Sequence, residues 1–278
     1  IIWLASYPKS GNTYLRSFLA SYYFSDDGKF NFDLLLKIHQ FPNMKFSKLK
    51  STNQEEASKN WIFNQNSFFK NLDLNLVKTH NCLYPFKNNE FTTTNITRGA
   101  IYIVRDPRNV ITSLTHHYDL TYEQAYSHMV DENSSLLETS HELDHSNFTH
   151  LNSWSNHYKS WKNNKKFKTL FIKYEDLVSK KKTILIKIFK FIMKLGIKNL
   201  NLDMNKLNMI IKSTEFEKMK DMEGKESFRE SIIDKETGKK RPFFNLGPQN
   251  DWKKILGELN KEKIEKAFEK EMLELGYL

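Results

Sequence analysis

The first residues of the chain constrain its fold most, because they join a short apolar run to a tight, glycine-containing turn. Residues 1–5 read IIWLA, and YPKSGNTY follows at residues 7–14. Apolar side chains then recur at helical spacing to residue 24. A continuous apolar run is typical of a strand buried on both faces. The sequence therefore predicts a buried strand, a tight loop and a helix over residues 12–24.

Strand and helix patterns go on alternating along the chain. Further strands are predicted at residues 74–77, 100–104 and 168–174, and further helices after Pro107 and at residues 148–163, 175–195 and 258–275. This alternation indicates a parallel sheet with right-handed crossovers. A chain of 278 residues suits one such unit better than several small domains. We predict a single α/β domain in which helices flank a central parallel β-sheet.

Three polar segments interrupt the alternation, at residues 25–70, 118–147 and 221–250. The first is expected to be irregular or short-helical, and the last contains several glycines and prolines. Long segments of this kind inside a compact domain are often functional. We predict that all three are substrate-binding or lid loops. Nothing in their composition identifies the molecule that they would bind.

Charge and composition narrow the choice of partner and compartment. The net charge of +10 suits a polyanionic ligand, but the lysines are scattered and no groove-reading motif is present, which disfavours a nucleic-acid-binding protein. Cys82 is the single cysteine, which excludes an intrachain disulfide and suits a reducing compartment. No stretch of eighteen apolar residues occurs, so no integral membrane association is expected. We expect a cytoplasmic protein.

The loop after the first strand has the properties of an anion-binding loop. Gly11 permits a sharp turn and a close approach of backbone to ligand. The helix that follows presents its N-terminal amides and the positive end of its dipole. Lys9 adds a positive charge, and Ser10 and Thr13 add hydroxyls. Lys9 precedes Gly11, unlike the lysine of a Walker A loop, so an ordinary strand-to-helix turn also stays open on these residues alone.

Several segments, in order, resemble those of the sulfotransferases that use 3′-phosphoadenosine 5′-phosphosulfate (PAPS). YPKSGNTY at residues 7–14 resembles their phosphosulfate-binding loop, YPKSGTTW, and KTH at residues 78–80 resembles the segment with the catalytic histidine. IVRDPRNV at residues 103–110, with Ser113, is similar to the segment that binds the 3′-phosphate of the donor. YED at residues 174–176, STEF at residues 213–216 and DWK at residues 251–253 resemble further markers. Together they cover nearly the whole chain.

The resemblance implies the P-loop-like, nucleoside-kinase-like sulfotransferase fold and the transfer of a sulfuryl group from PAPS to an acceptor hydroxyl or amine. His80 would be the general base, a task that suits an imidazole. Lys9 would stabilise the leaving phosphate, and Lys78 would neutralise charge across the site. PAPS and its product adenosine 3′,5′-bisphosphate (PAP) would be bound without a metal ion by a set of residues from these segments: Lys9, Ser10, Gly11, Asn12, Thr13, Tyr14, Arg105, Ser113, Tyr174, Phe216 and Gly247.

The sequence departs from the family pattern near its end. The usual basic pair before the late glycine, R-K-G, is here NLG at residues 245–247, which removes two expected contacts to the 3′-phosphate. Lys239, Lys240 or Arg241 could take over this role. Tyr14 stands where the family often has tryptophan. Histidines are frequent between residues 116 and 150, but their spacing matches no metal-ligand pattern, so they, including His150, are expected to be solvated or part of a substrate loop.

Other classes of function stay open beside this interpretation. Asp106, at the end of a predicted strand, could be the magnesium-binding acid of a P-loop-type nucleotide kinase, although no Gly-Lys-[Ser/Thr] sequence is present. The lost basic pair could instead indicate a degenerate protein that binds PAP or PAPS without turnover. The acceptor, a small molecule or a glycan, and the oligomeric state cannot be deduced from these residues.

Overall fold

The computed structural model describes residues 1–69, 75–137, 144–196, 202–226, 228–233, 238 and 240–278. Its strands are β1 (Ile2–Ser6), β2 (His39–Gln40), β3 (Leu76–Thr79), β4 (Gly99–Val104), β5 (Ser135–Leu136), β6 (Thr149–His150), β7 (Thr169–Lys173), β8 (Ile232–Ile233) and β9 (Lys240–Arg241). Its α-helices are α1 (Asn12–Phe24), α2 (Gln54–Lys59), α3 (Trp61–Phe69), α4 (Pro107–Tyr118), α5 (Tyr122–Val130), α6 (Trp154–Lys162), α7 (Tyr174–Ser179), α8 (Lys181–Lys194), α9 (Met204–Ser213), α10 (Phe216–Lys225), α11 (Trp252–Ile255) and α12 (Glu258–Leu275). Short 3₁₀ helices span Phe32–Lys37, Met44–Phe46 and Gly247–Gln249.

A parallel sheet in the order β2-β3-β1-β4-β7 forms the centre of the fold. Ala5 of β1 lies opposite Thr79 of β3, and Ser6 lies opposite Ile103 of β4. The chain thus moves to one side of β1 and later returns on its other side. In open parallel sheets, ligands bind at the carboxyl ends of the strands beside such a switch point. The predicted parallel sheet flanked by helices is confirmed.

Both faces of the sheet are covered by helices, as the apolar strands require. Side chains alternate between the faces of a strand. Ile2 and Leu4 of β1 therefore pack in a core cluster with α1, α8 and α9. Trp3 and Ala5 pack on the opposite face with α3, α4, α6 and α12. This packing holds β1 rigidly, together with the loop that follows it.

Two predicted helices have different bounds in the structure. The helix predicted at residues 148–163 begins only at Trp154, because Asn152 takes a left-handed conformation (φ 62°) and the Ser153 side chain caps the helix. The helix predicted at residues 175–195 is interrupted between α7 and α8. There the Ser179 hydroxyl donates to the Glu175 carbonyl, a side-chain bond that competes with the helical pattern.

The three segments predicted as loops contain regular structure. Residues 25–70 include the expected short helices, α2 and α3. Residues 118–147 include α5, which begins with a capping box formed by Thr121 and Gln124. Residues 221–250 include the end of α10 and the antiparallel pair β8–β9. Some of the predicted residues lie outside the described ones. They are residue 74 of the predicted second strand and residues 70, 138–143, 227, 234–237 and 239 of these three segments.

Candidate active site at the carboxyl ends of the strands

The segments singled out in the sequence follow directly on neighbouring parallel strands. The loop at residues 7–11 follows β1, His80 follows β3, Arg105 follows β4 and Tyr174 follows β7. Because parallel strands end at one edge of the sheet, these segments meet there. They surround a cavity of about 910 Å³. That volume is within the range of small-molecule sites in proteins.

The structure brings nearly all of the predicted site residues to this cavity. Ser10 is the exception among them, since it lies buried inside the loop. The others line the cavity wall: Lys9, Gly11, Asn12, Thr13, Tyr14, Lys78, His80, Arg105, Ser113, Tyr174, Phe216 and Gly247. The segment at residues 25–70 adds Phe32, His39 and Phe46 to the wall, and the polar segment near residue 118 adds Tyr118.

The backbone of the loop is shaped by Gly11 and Asn12. Gly11 has φ 98°, and a side chain on it would collide with the ring of Tyr174, which packs over the loop. The Asn12 side-chain amide donates to the Leu4 carbonyl at 2.8 Å and to Ser6 Oγ at 3.2 Å, which ties the start of α1 to β1. The backbone N–H of Asn12 lies in the first helical turn, where no intrahelical acceptor is available.

Polar atoms around the loop lack partners within the described residues. Ser10 Oγ and Arg105 Nε, both able to donate, are buried without a hydrogen bond. Lys9 takes a positive φ of 63°, a strained conformation for a residue with a side chain. Buried unpaired polar atoms and backbone strain are costly, and they are found mainly where a ligand uses them. The loop therefore fits a bound anion with several oxygens.

Lys9 is an unusual cation in this setting. Its ammonium lies 4.2 Å from the ring centroid of Phe243. The pKa of Lys9 is lowered to about 7, mainly by burial, with Glu230 acting to raise it and the charges of Arg105 and Lys78 acting to lower it. An anion bound in the loop would favour the charged ammonium. Lys9 can therefore take up a proton together with its ligand.

Arg105 and Ser113 reach the cavity from the start and the middle of one helical stretch. Arg105 lies directly before α4, and Ser113 lies two turns along it. The Arg105 guanidinium lies 4.4 Å from the centroid of the Tyr174 ring, and its Nη1 donates to the Lys9 carbonyl at 2.9 Å. These contacts hold Arg105 beside the loop. A guanidinium and a hydroxyl together suit a phosphate group.

Asp106 is engaged elsewhere, which weakens the kinase alternative. Its carboxylate caps α4 and forms an ion pair with Arg108, at 2.7 Å between Oδ2 and Nη2. Arg108 also contacts Glu265 and the Tyr277 carbonyl.

Within the described residues, no group of three potential ligands could hold a metal ion, and no helix is long and apolar enough to cross a membrane.

His80 is held as a neutral imidazole with one nitrogen available. Its Nδ1 lies 2.7 Å from the Ser6 carbonyl oxygen, which can only accept, so Nδ1 carries the proton and Nε2 carries the lone pair. Burial, with the charge of Lys78, lowers the pKa of His80 well below its usual range. The imidazole is thus neutral, and its Nε2 lone pair is the atom that can accept a proton.

His157 supports His80 from behind and was not identified in the sequence. Its Nε2 donates to the His80 carbonyl at 3.0 Å, and the Tyr102 hydroxyl lies 2.8 Å from its Nδ1. Burial lowers the pKa of His157 to about 3, so this ring is also neutral. The spacing of His157 with Trp154 and Trp161 in α6 indicated only a buried helix face. His150, expected to be solvated or part of a substrate loop, is buried.

An acidic side chain that the sequence did not indicate lies against the loop. Glu230 accepts from Thr13 Oγ1 at 2.7 Å and from Arg16 Nη1 at 2.6 Å, and Lys78 Nζ lies 3.7 Å from its Oε1. Burial raises the pKa of Glu230, but Lys78, Arg16 and the bond from Thr13 outweigh burial and lower it below the usual range. Arg16 lies three residues after Thr13, and this spacing places both side chains on one face of α1, so the sequence could have indicated Arg16. Nothing local marked Glu230.

The far side of the cavity contains the departure from the family pattern. Gly247 has φ 49°, and a side chain on it would collide with the Phe216 ring. Asn245 and Leu246 line the cavity at the place of the usual basic pair. Arg241 does not line it, since its guanidinium pairs with Asp119 at 2.8 Å and donates to the His116 carbonyl. Lys239 lies outside the described residues, and Lys240 is described only by its backbone.

Comparisons with known proteins agree with this geometry. The sequence model of the family described as "Sulfotransferase domain" matches residues 1–276. An amine sulfotransferase from Oryctolagus cuniculus is 23% identical over 175 residues, which are 62% of this chain and 54% of the relative. The chain thus spans about half the length of the curated relative that it matches.

Two solved structures share the fold of this chain. Mouse sulfotransferase SULT7A1 complexed with PAP superposes with a TM-score of 0.59 and 21% identity, over 98% of this chain and 83% of that one. A retinol dehydratase in complex with androsterone and inactive cofactor PAP superposes with a TM-score of 0.58 and 19% identity, over 98% of this chain and 80% of the other. At these identities the likeness shows the P-loop-like fold.

Proposed function

Because this chain belongs to the sulfotransferase domain family, we propose that it transfers a sulfuryl group from PAPS to an acceptor hydroxyl or amine. The observation that carries the proposal is the meeting of three groups around one cavity: the loop with Lys9, the pair Arg105 and Ser113, and the neutral imidazole of His80. The two solved structures described above both contain PAP, which supports the same nucleotide here.

The donor would be bound at both of its phosphate ends. The loop amides, Lys9 and Thr13 would hold the 5′-phosphosulfate, where buried polar atoms lack partners. Arg105 and Ser113 would hold the 3′-phosphate. The rings of Tyr174 and Phe216, packed against Gly11 and Gly247, would flank the nucleoside. This arrangement requires no metal ion, since the positive charges come from side chains.

PAPS supplies a sulfuryl group activated by its bond to a phosphate oxygen. His80 would take the acceptor's proton at Nε2 as the acceptor atom bonds to sulfur. Lys9 and Lys78 would balance the negative charge that gathers on the nucleotide phosphate as its bond to sulfur breaks. By analogy with phosphoryl transfer, we expect catalysis to come mainly from positioning and electrostatic stabilisation.

The acceptor would bind within reach of His80 Nε2 in the same cavity. Aromatic and imidazole side chains are among those that line the cavity: Phe32, His39, Phe46, His117 and Tyr118. Such a wall suits a small molecule, or one unit of a glycan, with an apolar or ring-shaped surface. The name of the curated relative, amine sulfotransferase, supports tests with amines alongside phenols and alcohols.

Calorimetric titration tests the donor site. PAP should bind tightly with or without Mg²⁺, adenosine 5′-phosphate should bind more weakly, and ATP–Mg²⁺ should not be preferred. Preference for ATP–Mg²⁺ would overturn the proposal and favour a kinase. Transfer of labelled sulfate from PAPS to a panel of phenols, amines and sugars then tests turnover.

Asn245 and Leu246 favour a second candidate, a protein that binds PAP without turnover, because the usual contacts to the 3′-phosphate are lost at their position. PAP binding without transfer to any acceptor of the panel would favour this candidate.

A further inference from the structure

The start of α1, directly after the loop, already contacts an anion, the carboxylate of Glu230. Thr13 Oγ1 donates to its Oε2 at 2.7 Å, and Arg16 Nη1 donates to its Oε1 at 2.6 Å. Both donors lie on α1, one turn apart, at the helix end that attracts negative charge. Lys78 approaches the same carboxylate from β3, at 3.7 Å. Glu230 therefore occupies a position built for an acidic group.

This carboxylate also compensates buried charge. The Arg16 side chain is only 6% exposed, and the Lys78 side chain only 10%. A buried cation without a partner destabilises a folded protein strongly. The loop and its surroundings thus need an anion at this place. Glu230, which approaches from the segment between α10 and β8, supplies one from within the chain.

We propose that Glu230 is an internal competitor of the donor, and that its carboxylate must leave Thr13 and Lys78 before the 5′-phosphosulfate end of the nucleotide can bind. The inference rests on the proposed function, because it takes the loop at residues 7–14 to be the donor site. The competition belongs to one side chain and one end of the nucleotide, so it can be measured separately.

Two physical constraints prevent Glu230 and the donor from sharing the site. The Thr13 hydroxyl has a single proton, so it can donate to one of the two anions at a time. A carboxylate and a phosphate in contact with the same hydroxyl also repel each other, because a site in which the Glu230 side chain is only 24% exposed screens charge less than water does. Binding of the nucleotide therefore requires Glu230 to move away, and Arg16 and Lys78 then gain the nucleotide as their new anionic neighbour.

The competition lowers the apparent affinity for the donor. When only a fraction of the molecules has a free loop, the apparent dissociation constant rises by the inverse of that fraction. Removal of the charge from Glu230 should therefore strengthen binding of the nucleotide. A residue that merely stabilised the folded site would have the opposite effect, since its loss would loosen the loop and weaken binding.

Calorimetry with Glu230→Gln tests the inference directly. PAP should bind to Glu230→Gln roughly tenfold or more tightly than it binds to the wild type, because glutamine keeps the size of the side chain and loses its charge. Asp33→Asn is the matched control, since Asp33 lines the same cavity but is exposed. Loss of the Asp33 charge should change the affinity for PAP by no more than about twofold, because solvent screens that charge.

Two mononucleotides locate the competition at one end of the site. Adenosine 5′-phosphate should gain affinity for Glu230→Gln as PAP does, whereas adenosine 3′-phosphate should not. An equal gain for both, or an equal gain in Asp33→Asn, would show a general effect of charge and overturn the inference. Unchanged or weaker binding of PAP to Glu230→Gln would also overturn it.

The design separates this inference from the proposed function. PAP binding of equal strength to both proteins would leave the donor site in place and reject the competition alone. No PAP binding to either protein would reject both. Should Glu230→Gln unfold, Glu230→Asp keeps the charge but shortens the reach to Thr13, and PAP should then bind more tightly than to the wild type. The thermal midpoint of Glu230→Asp should also rise more with PAP than that of the wild type.

Discussion

Burial decides the protonation state of the candidate catalytic side chains. His80 is neutral because its ring is buried beside Lys78, and its tautomer follows from the Ser6 carbonyl. Burial likewise disfavours the charged form of Lys9, whose pKa is lowered to about 7. A bound anion would act on both groups in the same direction, because negative charge favours the protonated form of the lysine and of the imidazole.

Replacement of His80 by alanine should remove the general base. Turnover should fall by roughly 10²–10⁴, while PAP binding should stay nearly the same, because the imidazole acts on the acceptor. His128→Ala is the control, since His128 lies exposed on α5. Measurement of sulfate transfer and of PAP affinity in both variants tests the role. Full turnover in His80→Ala would show that another group takes the proton.

The lowered pKa of Lys9 predicts a dependence of PAP affinity on pH. Below about pH 7 the ammonium is already charged, and above it the free protein must take up a proton to bind the anion. Affinity should therefore weaken by up to about tenfold per pH unit above this value.

Titrations between pH 6 and pH 9 measure this dependence, and Lys9→Arg is the control. Arginine stays charged throughout, so the slope due to this residue should vanish in the variant. A flat profile for the wild type would show that Lys9 does not contact the nucleotide.

At the scale of elements, the ends of four parallel strands set the geometry of the site. Each predicted segment is anchored by a strand whose position is fixed by its neighbours, as in the register of Val104 with Lys173. The loop after β1 adds a conformation that only glycine adopts easily, at Gly11. The ring of Tyr174 fills the space that a side chain there would need.

Gly11→Ala should therefore disturb both the loop and the aromatic ring above it. The left-handed conformation alone should lower the free energy of unfolding by about 1–2 kcal/mol, and displacement of Tyr174 should weaken PAP binding as well. Gly224→Ala is the control, because a side chain there has open space and alanine is a better helix former than glycine in α10. Urea unfolding and calorimetry measure both effects. Wild-type affinity in Gly11→Ala would argue against close approach of the nucleotide to this loop.

At the scale of the whole molecule, Arg108 connects the site to the end of the chain. It joins Asp106 at the start of α4 to Glu265 in α12 and to the Tyr277 carbonyl, and its guanidinium lies 3.9 Å from the centroid of the Trp252 ring. Arg105 immediately precedes this cluster in the chain. The C-terminal helix α12 thus supports the position of Arg105, the residue expected to bind the 3′-phosphate.

Arg108→Ala should destabilise the fold as a whole. Its removal leaves the buried Asp106 carboxylate without its partner, which should lower the free energy of unfolding by about 3–5 kcal/mol. Arg98→Ala, which removes an exposed guanidinium, should leave stability nearly unchanged. Urea unfolding of both variants tests the difference. A loss below about 1 kcal/mol in Arg108→Ala would show that the cluster tolerates a missing cation.

The sequence by itself determined the succession of the main strands and helices along the chain, through apolar runs, helical spacing and the turn at Gly11. The segments expected at the site came from the resemblance of their residues to those of the sulfotransferases that use PAPS. Parallel strands then bring the ends of those segments together by geometry alone. Local patterns were less accurate where side chains override them, as the Ser153 cap and the Ser179 hydroxyl do at helix ends.

Only the tertiary structure decided which side chains surround the loop. Glu230 lies 217 residues from Thr13 in the chain, and His157 lies 77 residues from His80, so neither contact leaves a local signal. Such pairs form because packing brings distant segments together and because buried charges and polar atoms require partners. Periodicity shows whether a side chain faces inward, but the identity of its neighbour depends on how the whole chain packs.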